Sequence, residues 1–198
     1  MSPSDYALKL QTTLKASALV AGPAEVLVPQ DFTPTTALNV SFDGRALEYG
    51  NLFRARECKL PPAITFAPEA NASSAASYLL MLVDPDAPTP EDPKFAFWRH
   101  WVLPGLQPTH GTDGQVVAET KRALTEYLGP GPKDDSTPHR YLFLLFREPA
   151  GLDLTKEAVG GEEFVQRRSF DPVTFVKEHD LKLVSVNWMR GAGDGWTE

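Results

Sequence analysis

A single cysteine, Cys58, stands in 198 residues, and one thiol cannot close a disulfide within its own chain. That scarcity fits a reducing compartment, so the expected location is cytoplasmic and Cys58 reads as an unreactive thiol. No apolar run is long enough to cross a bilayer, and no basic start followed by an apolar stretch marks a secretory signal. Positive charge is also short. The formal net charge is -7, which argues against nucleic acid or an anionic membrane surface as a general partner, since both reward lysine and arginine. Any anion must then be held by a local site. No Gly-x-Ser-x-Gly elbow is present to activate a nucleophile. Asp84, His100 and His139 could be imagined as two histidines and a carboxylate around a metal, but they lack the close spacing of such ligands. The expectation is a binding protein rather than an enzyme, with no metal and no cofactor. Internal repeats are absent, and the length suits one core in a single domain over residues 1–198.

What the chain does have is Tyr78-Leu79-Leu80-Met81-Leu82-Val83, its longest uninterrupted apolar run. That length suits a strand buried on both faces. It passes directly into Asp84-Pro85-Asp86-Ala87-Pro88, where two carboxylates and two prolines meet the exit from the interior. Proline fixes its own φ and restricts the residue before it, so this exit is stiff and its carboxylates are aimed. A second strand-like run follows at 97–103, with alternation placing Trp98, His100 and Val102 on one face and Arg99 on the other. A third, 139–146, begins at His139.

The remaining segments frame these three. Tyr6, Leu10, Leu14 and Ala18 make one stripe on a helix that begins near Ser2-Pro3 and that Gly22-Pro23 ends, giving an N-terminal helical segment over 1–22. Leu38, Val40 and Phe42 alternate before the Asp43-Gly44 turn signal, and Ile64 alternates with Phe66. Residues 67–76, 89–94 and 104–114 read as loops. Residues 127–138 are too rich in proline and glycine for regular structure, and such a buttressed loop can present backbone N–H groups to a ligand. Asp171-Pro172 opens a helix through about Glu178. Residues 182–189 form the last strand, and 191–198 a loose tail. Lys156, Glu157, Glu162, Glu163, Arg167 and Arg168 read as a solvated face. His110 and His179 receive no role.

Three of these motifs together resemble the phosphatidylethanolamine-binding protein family, also called the Raf kinase inhibitor protein family. They are Asp84-Pro85-Asp86-Ala87-Pro88, Trp98 with His100, and Tyr127-Leu128-Gly129-Pro130-Gly131-Pro132 followed by His139-Arg140-Tyr141. Within it the chain is most similar to the fungal branch that includes the carboxypeptidase Y inhibitor, through residues 138–145 and 181–187. The resemblance implies a mainly β fold, a β-sandwich of two antiparallel sheets with peripheral helices. It also implies at least one cis bond between Asp84-Pro85 and Ala87-Pro88.

For the site, the resemblance implies a small anion pocket formed by Asp84, His100, Gly131, Pro132, His139 and Tyr141, supported by Pro85, Asp86, Pro88 and Trp98. The chemistry suits that reading. Imidazoles, a phenol and loop amides donate to phosphate oxygens, while Asp84 fixes a histidine tautomer or meets a ligand ammonium. The implied partners are a phosphate-bearing small molecule or phospholipid head group and, through a docking surface that includes the N-terminal helix, a serine carboxypeptidase or a kinase. The chain departs from the family pattern at Arg99, where many members have a second histidine, and at Lys133-Asp134-Asp135, which alters the charge and stiffness of the rim.

Overall fold

A computed structural model describes residues 3–109, 117–168 and 170–198. Ser2, His110 and the end of the loop expected through Gly114 lie outside them. Helix α1 spans Pro3–Ala16; strands β1 Asn39–Phe42, β2 Arg45–Ala46, β3 Leu52–Arg54, β4 Ala63–Thr65, β5 Tyr78–Asp84, β6 Trp98–Pro108, β7 Val117–Glu119 and β8 His139–Arg147 follow, then helix α2 Pro172–Glu178 and strand β9 Lys182–Ala192. The strands form a three-stranded sheet in the order β2-β1-β4 and a six-stranded sheet in the order β3-β9-β8-β5-β6-β7. All pairs are antiparallel except β3 with β9. The expectation of two antiparallel sheets therefore fails at this one edge, where β3 reaches the last strand from far upstream instead of through a hairpin.

Strand β5 is buried at every position. Tyr78, Leu80 and Leu82 share one apolar cluster with Leu38, Val40 and Phe42 from the small-sheet side. Leu79, Met81 and Val83 share the other with Tyr6, Leu10 and Leu14 of α1 and Phe175 of α2. Each such fully buried side chain contributes roughly 1.5–3 kcal/mol of transfer free energy. This two-sided burial explains why β5 carries no polar alternation.

Several boundaries differ from the sequence reading. Helix α1 ends at Ala16, not at Gly22-Pro23. Ala18 is exposed with φ 52, and the reversal there turns Leu19 and Val20 into the core. The Leu14 carbonyl accepts the amides of both. Residues 104–108 are strand, because β6 runs on to pair with β7; Gly105, at φ 76, absorbs an irregularity in the β5 pairing. Strand β9 runs to Ala192, and the supposed loose tail is tied down. Arg54 donates to the carbonyls of Gly193 and Trp196 at 3.0 and 2.7 Å, and Gly195 N–H to Asp134 at 2.9 Å. Other expectations hold. Asp171 caps α2 by accepting from Thr174 N–H, and Asp43 and Gly44, both at positive φ, make the β1–β2 turn. Cys58 is fully buried, and burial, with Glu57 nearby, pushes its thiol up to about 12.

Candidate functional site

The end of β5, the start of β6 and the start of β8 lie side by side, since β5 pairs with both neighbours. That register brings Asp84, His100, His139 and Tyr141 to one rim of the large sheet. With Gly131 and Pro132 from the 127–138 loop they line one cavity of about 310 Å³, so all six expected residues meet. Ala87, Pro88, Trp98, Leu128, Gly129, Lys133 and Phe164 complete the wall. Pro85 and Asp86 do not line it. The peptide bond before Pro88 is cis, and that before Phe97 is also cis.

A β-bulge aims His100. Leu82 pairs with Trp101 and Val83 with Arg99, which leaves His100 unpaired between them. A bulge re-aims a side chain relative to simple alternation. The expected shared face of Trp98, His100 and Val102 is accordingly broken: Trp98 and His100 line the cavity, while Val102 belongs to the α1-side cluster. Arg99 does point away, as expected. It donates to Thr125 Oγ1 at 2.6 Å and to the carbonyls of Val159 and Gly161.

Asp84, His139 and His100 are each held by named partners. Asp84 is 2% exposed; its Oδ1 accepts Asp86 N–H at 2.7 Å, and its Oδ2 lies 2.8 Å from His139 Nδ1. His139 Nε2 is 3.1 Å from Ser136 Oγ. His100 Nδ1 donates to the Leu128 carbonyl at 2.7 Å, an oxygen that can only accept, so Nδ1 carries a proton. Burial lowers the His100 pKa, against the opposing pull of Asp84, and keeps the ring neutral. Tyr141 stacks on His139 at 6.2 Å and meets His100 edge-on at 5.2 Å. Burial, reinforced by Asp84, drives its phenol well above the ordinary value, so its hydroxyl stays a donor. Trp98 Nε1 is buried with no partner among the described residues. Asp134 turns from the cavity to hold the C-terminal segment, so at this rim Lys133 contributes the charge.

Other groups that build the site were misread or passed over in the sequence. Arg167 is buried instead of solvated and donates to the carbonyls of His100 and Glu126 at 3.1 and 2.9 Å. Arg168 lies over the rings of Phe95, Trp98 and Phe164. The one signal for this was Phe164-Val165, an apolar pair inside a charged stretch. Arg140 clasps Asp86 through Nε at 2.8 Å and Nη2 at 2.6 Å. Among the described residues, no group of three or more histidine, cysteine or acidic side chains is placed to hold a metal.

Comparison with known proteins bears on this geometry. Residues 30–188 match the family model described as Phosphatidylethanolamine-binding protein. The carboxypeptidase Y inhibitor of Saccharomyces cerevisiae is 29% identical over 195 residues, covering 83% of this chain and 87% of its own. Among solved structures, that of carboxypeptidase Y inhibitor complexed with the cognate proteinase superposes with a TM-score of 0.80 at 24% identity, over 96% of this chain and 98% of that one. The phosphatidylethanolamine-binding protein from Plasmodium vivax superposes at 0.69 and 21% identity, over 93% and 97%.

Proposed function

This chain belongs to the phosphatidylethanolamine-binding protein family, and from that premise we propose that it is a non-enzymatic binding protein whose cavity takes a phosphate-bearing head group. The two sheets act as layers of a β-sandwich whose rim carries the site. The supporting observation is convergence: six residues from three separate sequence motifs line a single cavity. A cavity of about 310 Å³ suits a phosphoethanolamine group and leaves acyl chains outside. In this reading Tyr141 O–H and loop amides donate to phosphate oxygens, and Asp84 fixes the His139 tautomer. Titration of the His100 and His139 ring resonances with phosphoethanolamine tests it. Both sets of signals should move at millimolar ligand; stationary signals count against the pocket.

A second reading adds inhibition of a serine carboxypeptidase. The observation favouring it is that the 29% identical relative is a carboxypeptidase Y inhibitor. Helix α1 precedes the stretch matched by the family model, and its outward face is the surface we propose for docking. Deleting residues 1–20 is a poor test, because Tyr6, Leu10, Leu14, Leu19 and Val20 are core. Leu8, 66% exposed, is better: Leu8→Glu should weaken carboxypeptidase Y inhibition while leaving phosphoethanolamine binding intact. Undiminished inhibition would move the docking surface elsewhere. A kinase is the other partner class that family membership suggests.

A further inference from the structure

Few charges line the cavity, and they lie at different depths. Among the described residues Asp84 is its one carboxylate and Lys133 its one lysine or arginine. Asp84 and Tyr141 are buried and form the floor, whereas Lys133 is exposed at the mouth. Both Asp84 oxygens are already committed, Oδ1 to Asp86 N–H and Oδ2 to His139 Nδ1. The backbone at Lys133 is fixed from both sides. Pro132 before it is buried in the cavity wall, and Asp134 after it accepts Gly195 N–H at 2.9 Å. A methyl group on Gly193 would lie 2.2 Å from Asp134 Oδ1, so the C-terminal segment lies this close because that residue is glycine. Ser136 N–H closes the turn on the Lys133 carbonyl at 3.1 Å. Acidic groups around the rim are engaged elsewhere: Asp134 by Gly195, Glu91 by Thr137 at 2.8 Å, and Glu162 by Lys156. Asp135 and Glu163 lie outside the lining. No ion pair among the described residues includes Lys133.

We infer that Lys133 sets the head-group preference of this cavity, favouring a phosphoserine unit, which carries a carboxylate beside its ammonium, over phosphoethanolamine. This rests on the head-group reading, in which phosphate oxygens meet Tyr141 O–H and the loop amides. A phosphate at that depth turns the rest of the ligand toward the mouth. Phosphoethanolamine then brings a bare ammonium to a rim that already carries Lys133, and like charges repel. The aromatic wall offers that ammonium little relief. Arg168, outside the lining, already lies over the Trp98 and Phe164 rings at 5.8 and 5.9 Å, where a second cation would meet its charge. Phosphoserine brings a carboxylate to the same place, and that carboxylate pairs with Lys133. The opposite orientation makes the opposite prediction. An ammonium on the floor at Asp84 would carry the serine carboxylate toward a buried carboxylate, and the phosphate of either ligand would be left to Lys133.

Calorimetric titration of the full chain with matched ligands decides between the orientations: O-phosphoserine against phosphoethanolamine, and glycerophosphoserine against glycerophosphoethanolamine. At about pH 7.5 both monoesters have lost the second phosphate proton, whose pKa is about 6, so the members of each pair differ by one carboxylate. The serine member of each pair should bind about threefold more tightly, the scale of one exposed ion pair, and the ratio should shrink as salt is raised. Whichever pair binds more tightly distinguishes a free phosphomonoester from the head group of a lipid as the source. Lys133 is exposed, so replacing it spares the core. Lys133→Arg should keep the preference and Lys133→Gln abolish it, while Lys133→Glu should reverse it to about threefold in favour of the ethanolamine member. Ethanolamine ligands that bind as tightly as their serine partners or more so, or ratios unmoved between wild type and Lys133→Glu, overturn the inference and leave the pocket standing. Failure of all these ligands and of inorganic phosphate to bind at millimolar concentration overturns the pocket and the inference together.

Discussion

His100 shows how a single residue is set by its surroundings. The bulge in β6 leaves it unpaired, the Leu128 carbonyl takes its Nδ1 proton, and burial holds the ring neutral. A histidine whose folded pKa is depressed contributes stability that is complete above its unfolded value of about 6.5. As pH falls below that value the unfolded chain takes up a proton that the folded chain resists, and stability is withdrawn until the folded pKa is reached. The urea midpoint without ligand should therefore decline as pH drops from about 6.5. His100→Gln should flatten that decline, although its midpoint at pH 7.5 will be lower. A variant with the same slope as wild type would place the acid sensitivity in another group.

Neighbouring strands do for Tyr141 what the bulge does for His100. Tyr141 on β8 pairs with Met189 on β9, and the next β9 residue on the cavity side is Gly191. A methyl group there would lie 2.5 Å from the Tyr141 ring and 3.5 Å from Pro130, so glycine gives the ring its place. Gly191→Ala should lower stability by about 1–3 kcal/mol, the range for overpacking a filled interior. It should also weaken phosphoethanolamine binding, as checked by urea denaturation and calorimetry on one preparation. Retained affinity would mean that Tyr141 is not a ligand contact. At this scale the sequence was legible where pattern is local. The apolar run of β5, the Asp43-Gly44 turn, the Asp171 cap and the six cavity residues could all be read, the last through motif order. What could not be read depends on pairing between distant segments. Alternation predicts one face for Trp98, His100 and Val102, and only the register against β5 shows that a residue is inserted. Arg167 looks like any charge in a polar stretch until the carbonyls of His100 and Glu126 converge on it. Residues 104–108 read as loop because proline and glycine obscure a strand that β7 completes.

The whole molecule is joined through Arg140. Its backbone N–H and guanidinium hold Asp86 in the Asp-Pro turn, while Nη1 donates to the carbonyls of Ser17 and Ala18 at 2.9 and 3.1 Å. Those are carbonyls just beyond the C-terminus of α1, where the helix dipole favours a cation. One side chain thus ties together α1, the turn that leaves β5, and β8. Helix α1 is anchored at its other end by Tyr6, whose hydroxyl lies 2.7 Å from Ser185 Oγ and donates to the Val186 carbonyl at 2.9 Å. Replacing Arg140 by methionine keeps the aliphatic stem but leaves the Asp86 carboxylate buried with one remaining backbone donor. Breaking a buried pair from one side costs about 3–5 kcal/mol, and partial exposure of Arg140 puts the expected loss near the lower end. The distinctive consequence is local. Amide exchange at Leu19 and Val20, which follow the freed carbonyls, should quicken in Arg140→Met more than exchange in β5. Adding Asp86→Asn should recover much of the stability by removing the stranded charge, without slowing that exchange, because the link to Ser17 and Ala18 stays broken. Equal protection of Leu19 and Val20 in wild type and Arg140→Met would show that apolar packing of α1 alone, without Arg140, holds the helix end against the turn.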